Sequence, residues 1–450
     1  MNTKTPYKTI FALSSFLTDL FPMMGARLID RLVAALFGNR LLIQYGLKKN
    51  LRNLARVREF RRILVIGDLN IGDAVTLQAA ITALRDFLPE AEIEYAVNRF
   101  ARPLIEGNPE ISRVWPIFTG TYFPDKNDFR RIGEIAAGRT YDLVLNFCPL
   151  FREDKLRGVN RNTIGYAALA SQLIRDEQRP GTVNHIVYKT YRYVHDMLSS
   201  FRTPQRNRQF RGVSVTLQDS AVKRAEDFLA AADVPAGTPV IFYNPDASSP
   251  FTRIPFERQR VLLEGIAAMD VTVLVGAGHT ARDIGSGLVA GLPLPMRRRA
   301  VIVPSLMPLD AYTALIDFCD IYVTADTGPL HLAAARKISR DGGHIFRNRT
   351  SVFSIFGATP ATLYGYDSLK PGFFAANQDA ASACYDVQSR CRNITCINKM
   401  AKTCRDIRCF EQLDVNAILE DIQNVLGGNG AANHSHRGAI GSIPLKRIFP

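Results

Sequence analysis

Apolar and polar positions along this chain fall into two alternating rhythms. Short continuous runs, of which Ile63-Leu-Val-Ile66 is the first, are apolar on both faces, as strands buried inside a parallel sheet are. Between them, apolar residues return at helical spacing. From Arg62 the pattern predicts a strand over 62–68, a loop Leu69-Asn-Ile-Gly-Asp73, and a helix from about Val75 to Leu88, stopped by Pro89. A strand over 93–97, helical pieces near Pro103 and over 127–137, and a strand over 142–147 follow. After the polar stretch from Thr203 to Gly212 the rhythm starts again. It gives a helix over 219–232, strands over 240–243, 271–275, 301–303, 321–324 and 352–356, and a closing helix over 415–426.

Strands alternating with helices build right-handed βαβ units. The expected fold class is therefore α/β, with two Rossmann-like parallel-sheet domains facing an interdomain crevice. The boundaries expected are an N-terminal extension over 1–61, a first domain over 62–212, a second over 213–426, and a disordered tail over 427–450. In the extension, Leu28, Ile29, Leu32, Val33 and Leu36 fall on one side of a helix, and Arg27, Asp30 and Arg31 on the other. That pattern fits a helix packed on the protein's own body. It fits equally a helix lying on an anionic lipid surface.

Charge narrows the partners. The chain of 450 residues holds 56 Lys+Arg against 42 Asp+Glu, a net +14, which favours anionic ligands. No uninterrupted apolar run has helix-spanning length, so a polytopic membrane protein is excluded. With no RNA-binding signature or zinc-finger spacing, a nucleic-acid partner is not expected. The apolar stretch after Lys8 is short, is followed by Asp19 and Pro22, and ends in no cleavage site, so secretion is not expected. Of seven cysteines, Cys148 and Cys319 read as core. Cys384, Cys391, Cys396, Cys404 and Cys409 cluster without Cys-x-x-Cys pairs and read as structural thiols rather than as a metal or redox site.

Four strand-end turns carry candidate chemistry. In Gly67-Asp-Leu-Asn-Ile-Gly-Asp73 a glycine-containing turn opens a helix. Free N–H groups there suit an anion, and Asp73 sits where the helix dipole favours a carboxylate, as an N-cap or as a reactive base. The string matches neither a dinucleotide fingerprint nor a P-loop. In Tyr322-Val-Thr-Ala-Asp-Thr-Gly-Pro-Leu-His-Leu-Ala-Ala335 a strand delivers Asp326, Thr327-Gly328 turn, and Pro329 begins a helix with His331 in its first turn. The N–H groups beside Thr327 and Gly328 suit a diphosphate, and Asp326 suits sugar hydroxyls. Val273-Leu-Val-Gly-Ala-Gly278 and Ser354-Ile-Phe-Gly-Ala-Thr359 are two more strand ends facing the same crevice.

These strings resemble one family. The strand and loop ending at Asp73, with Ala325-Asp-Thr-Gly-Pro-Leu-His-Leu-Ala-Ala-Ala335 and Phe356-Gly-Ala-Thr-Pro360, are similar to the heptosyltransferases of glycosyltransferase family 9 over about 62–424. The resemblance implies a GT-B architecture, inverting transfer, no required metal or other cofactor, and a nucleotide-sugar donor, ADP-heptose, on the second domain. It implies Asp73 as general base, with Asn70 and Gly72 in the acceptor-side loop. Asp326, Thr327, Gly328, Pro329, His331, Arg253, Gly276, Gly278, Gly357 and Thr359 would frame the donor. The acceptor implied is an anionic glycolipid or glycan of the lipopolysaccharide-core kind, met in the cytoplasm at the inner membrane face. Two stretches depart from the family. Thr252-Arg-Ile-Pro255 stands where a Lys-Arg-Trp-Pro-like segment is usual, leaving Arg253 as its cation, and 336–349 is inserted sequence. Another donor serving a surface polysaccharide, a binding protein without transfer, and a cysteine-centred metal-binding regulator stay open as alternatives.

Overall fold

The computed structural model describes residues 57, 59–67, 70–118, 126–148, 163–164, 185–206, 210, 212–213, 215–235, 237–247, 252–278, 283–336, 350–357, 359, 361–366, 382–387 and 408–427. The expected basic helix near the N-terminus, the tail from 428, most of the 336–349 insertion, and Cys391, Cys396 and Cys404 lie outside them.

Two parallel sheets form. The first holds β1 (Arg62–Ile66), β2 (Glu92–Asn98), β3 (Arg113–Phe118), β4 (Leu143–Asn146) and β5 (Thr163–Ile164), in the order β3-β2-β1-β4-β5. The second holds β6 (Val240–Asn244), β7 (Thr272–Gly276), β8 (Ala300–Val303), β9 (Ile321–Ala325), β10 (Ser351–Phe356) and β11 (Ser382–Asp386), in the order β11-β10-β9-β6-β7-β8. The α/β class read from the apolar runs holds. Of those runs, β1, β4, β6, β7, β9 and β10 are buried or nearly so along their whole length, as strands covered by helices on both faces must be. β11, in the cysteine-bearing stretch, was not legible as a strand.

The helices that position the site are α1 (Ile71–Thr76), α2 (Gln78–Phe87), α3 (Ile186–Ser199), α4 (Phe256–Ala267), α5 (Gly328–Arg336) and α6 (Val415–Leu426). The single helix expected over 75–88 is instead two, α1 and α2, meeting at Leu77, and it begins four residues earlier. Asn70 is extended (φ −90°, ψ 155°) and its carbonyl accepts from Ala74 N at 3.0 Å, so the helix starts there. α3 was not anticipated. His185 caps it by accepting from Val187 N at 3.2 Å, and Val187, Val194 and Leu198 form its buried stripe.

Between Arg206 and Val215 the chain changes allegiance. Gln205 and Arg206 donate their N–H groups to Asp86 O on α2, whereas Val215 O accepts from Arg336 on α5. One buried apolar cluster joins the two halves. Val75, Ala79, Leu104 and Val187 from the first pack with Leu330, Leu332 and the small Ala333, Ala334 and Ala335 of α5 from the second. At roughly 25 cal/mol per Å² of apolar surface removed from water, such a cluster helps to hold the halves together.

Candidate functional site

In each sheet the order reverses once, beside β1 in the first and between β6 and β9 in the second. Open parallel sheets bind ligands at the carboxyl ends of strands next to such reversals. The loop after β1 carries Asn70, Gly72 and Asp73. The segments after β9 and β6 carry Asp326–Gly328 and Asp246.

The two halves touch at glycines. A Cβ built on Gly72 would lie 2.6 Å from His331 Cδ2 and 3.2 Å from Gly328 Cα. One built on Gly328 would lie 3.3 Å from Gly72 N. At Gly72 a side chain would force something to shift, and at Gly328 it would be tight, so glycine at both lets the starts of α1 and α5 come this close. Asp73, third residue of α1, is half-buried and accepts from Asn70 Nδ2 at 2.9 Å. It is therefore not the N-cap. That position belongs to Asn70, whose side chain bonds to Asp73 instead of to the helix N–H groups.

Across the contact, Asp326 accepts from the hydroxyl of Thr359 and its N–H donates to Ile355 O at 3.2 Å. Burial is the main cause that lifts its carboxyl to about 6. The Thr359 hydrogen bond pulls the other way, and the charge of Asp73 pushes upward again. The two carboxylates are thus close enough to repel, one from each half. Beside them the Thr327 hydroxyl oxygen is buried with no hydrogen-bond partner among the described residues. It sits at the start of the nine-residue α5, where backbone N–H groups are also free of helical partners. His331 is buried, and desolvation drops its imidazole to about 4, so the ring is neutral at physiological pH.

The remaining expected residues divide. Arg253 lies at the same crevice edge, held by Asp246 (Nε to Oδ1, 3.0 Å; Nη2 to Oδ1, 2.9 Å) and by Ala247 O at 2.7 Å. Gly278 has φ +95°, and a Cβ there would meet Asp246 Oδ2 at 3.0 Å, while Gly276 packs on Asn244 and Tyr312. Gly357 is different: the space its Cβ would fill holds the Phe410 ring, 2.3 Å away, so packing under the site accounts for that glycine. Thr359 meets Asp326 directly, and Pro329 is the second residue of α5.

Residues 167–339 match the family model described as glycosyltransferase family 9 (heptosyltransferase). Over that stretch the chain is similar to glycosyltransferase family 9. Lipopolysaccharide heptosyltransferase 2 of Salmonella typhimurium is 24% identical over 291 residues, 61% of this chain and 80% of that protein. Among solved structures, a family 9 glycosyl transferase of Veillonella parvula superposes with a TM-score of 0.58 at 13% identity, over 82% of this chain and 98% of that one. The ADP-heptose LPS heptosyltransferase II of E. coli gives 0.54 at 17% identity, over 81% and 98%. At those identities the superpositions establish the GT-B fold.

Sequence reasoning missed three parts of this crevice. Asp246 was findable, since it follows a buried strand as Asp326 does. Asn244 Nδ2 donates to Thr324 Oγ1 at 3.0 Å, a cross-strand tie that needs the β6–β9 register to be seen. Tyr366, on His331, carries no local signal. The cysteines resolve in part. Cys148, Cys319 and Cys409 are buried, and Cys384 Sγ lies 3.2 Å from Ser354 Oγ. Among the described residues no group of three or more His, Cys, Asp or Glu could hold a metal ion. Arg336, first residue of the inserted stretch, is buried in an ion pair with Asp317 and contributes no free charge.

The raised Asp326 makes a prediction about stability. Its folded value of about 6 exceeds the unfolded one near 3.9, so the folded state binds the extra proton between those values. Stability from this group is present below about pH 4 and lost as pH rises through about 6. Asp326→Asn, neutral at every pH, is expected to melt higher than wild type at pH 7–8. The gain is about 1–2 kcal/mol after discounting for the carboxylate's partial exposure. The gap should close on acidification to about pH 4. A melting curve pair whose separation ignores pH would show that Asp326 is not held against its ionisation.

Proposed function

We propose that the protein is an inverting transferase that moves a heptose from ADP-heptose onto an anionic glycan acceptor of the lipopolysaccharide-core kind. The observation that carries this reading is the meeting, across the Gly72–Gly328 contact, of Asp73 from one half with Asp326 and the orphan Thr327 hydroxyl from the other. The heptosyltransferase relatives support the sugar and nucleotide.

Asp73 takes the proton of the acceptor hydroxyl as its oxygen attacks the anomeric carbon from the face opposite the leaving group. The bond from that carbon to the diphosphate oxygen breaks, and the stereochemistry inverts. Negative charge grows on the nucleoside diphosphate, facing the start of α5 and the Thr327 hydroxyl. Asp326, braced by Thr359, accepts from sugar hydroxyls. Arg253, already bound by Asp246 and Ala247 O, offers the diphosphate a fixed guanidinium edge rather than a mobile charge.

Thermal shift tests the reading. ADP-heptose should raise the melting temperature by mass action, more than ADP or a UDP-hexose does. Asp326→Ala should lose most of the ADP-heptose shift and keep the ADP shift, because the carboxylate reads the sugar. No shift with any nucleotide sugar would overturn the proposal, and equal losses for both ligands would move Asp326 off the sugar. The net charge of +14 supports an anionic acceptor, and the basic 1–61 segment supports meeting it at the cytoplasmic face of a membrane. Full-length protein should then sediment with anionic but not neutral vesicles at low salt, and a chain beginning near Glu59 should not. If both ignore anionic vesicles, the membrane drops out of the reading.

A further inference from the structure

Behind the glycine contact lies a buried stack that crosses the halves twice. His331 Nδ1 is 2.9 Å from Tyr366 OH. Tyr366 is 1% exposed, and its ring lies 4.6 Å from that of His185, the residue that caps α3 in the first half. On its other edge the His331 ring presses against Gly72, with Nε2 3.4 Å from where a Cβ would stand. The sequence of contacts is thus His185, Tyr366, His331, Gly72: first half, second, second, first. Asp73 is the next residue.

The chemistry of the Tyr366–His331 bond has a direction. A neutral imidazole has one acceptor nitrogen and one N–H, and which is which depends on the partners. Burial keeps His331 neutral and keeps the Tyr366 phenol protonated. A phenol O–H is a better donor than an imidazole N–H, and a pyridine-type nitrogen is a better acceptor than a phenol oxygen. The hydroxyl therefore donates to Nδ1, and the ring proton stays on Nε2. Nε2 has no hydrogen-bond partner among the described residues and lies on the ring edge that faces the Asp73 loop.

We propose that Tyr366 is a positioning residue for transfer: by donating to Nδ1 it holds His331 as an Nε2–H donor beside the Asp73 loop. The partner that such a donor suits is an oxygen gaining negative charge in the crevice, and on the function proposed above that oxygen belongs to the leaving diphosphate. An imidazole in the other tautomer would turn a lone pair towards the same oxygen and repel it. The ring would still fill its space, so the protein would fold normally and transfer poorly.

Two measurements separate this proposal from the function it rests on. In full-length protein labelled with [15N]histidine, with the His331 signals identified by their loss in His331→Gln, Nδ1 should show the shift of an unprotonated nitrogen and Nε2 that of a protonated one. This readout needs no substrate. If Nδ1 carries the proton, the proposal fails whether or not the protein transfers sugar. Tyr366→Phe keeps the ring against His185 but removes the hydroxyl. It should mix the tautomers, lower kcat about tenfold and leave the donor KM within about twofold, because the lost interaction acts on charge that develops in the transition state. A Tyr366→Phe protein with a wild-type kcat would overturn the proposal. So would one whose lost activity came with an unchanged His331 spectrum, since Tyr366 would then act by packing alone.

Discussion

Asp73→Asn is expected to cut turnover by about a hundredfold or more while the melting temperature and the ADP-heptose shift stay close to wild type. The substitution keeps size and shape, and the amide oxygen can still accept from Asn70 Nδ2 as the carboxylate does at 2.9 Å. What it removes is the ability to take a proton. The helix loses a favourable charge in its first turn, worth about 0.3–1 kcal/mol, too little to unfold the protein. The two roles open to Asp73 therefore separate cleanly. A carboxylate that only supports α1 leaves kcat near normal when it becomes an amide, and one that accepts the acceptor's proton does not. Measuring kcat at saturating donor, beside a melting curve, distinguishes them.

Gly72→Ala should be the most damaging small change in the crevice. The new methyl would sit 2.6 Å from His331 Cδ2 and 3.2 Å from Gly328 Cα, well inside contact distance. The imidazole has little room to retreat, because Tyr366 holds its far side, and the Gly328 contact is backbone. α1 and α5 must then part by several tenths of an ångström. Overpacking of this kind costs about 1–3 kcal/mol. The larger effect is on geometry: a displaced Asp73 loop no longer aligns acceptor and donor, and turnover should fall tenfold or more. Gly133→Ala is the matched control, since a Cβ there meets nothing within 4 Å on a helix. It should be neutral or slightly stabilising. Equal melting temperatures and turnover for the two variants would mean that the glycine contact bears no strain.

Most of the architecture was legible because buried parallel strands advertise themselves. Runs such as Ile63-Leu-Val-Ile66 leave few alternatives, and the loops between them fall into place. The Asp326–His331 string was legible for a second reason: strand end, turn and helix start follow one another in eleven residues of chain, so no long-range contact had to be guessed. Where the reading stopped, the cause was distance along the chain. Tyr366 lies 35 residues from His331, and Phe410, which fills the space beside Gly357, comes from a segment after β11. No local pattern announces either partner. The start of α1 was misjudged for another reason. Asn70 is a favourable N-cap residue, but its amide bonds to Asp73, so the acidic residue looked like the cap when it is the cap's partner.

The apolar cluster that runs from Val75 and Val187 into Ala333 and Ala335 gives the coupling of the halves a component that depends on hydration. Salt, which screens surface ion pairs within a few ångströms at molar strength, leaves such contacts standing. Cooling acts the other way. Apolar association draws on the entropy of released water and carries a large heat-capacity change, so it weakens as temperature falls. The halves of this protein should accordingly stay locked in strong brine and loosen towards the freezing point. Any rocking that admits substrate would then become easier in the cold, even as the chemical step itself slows.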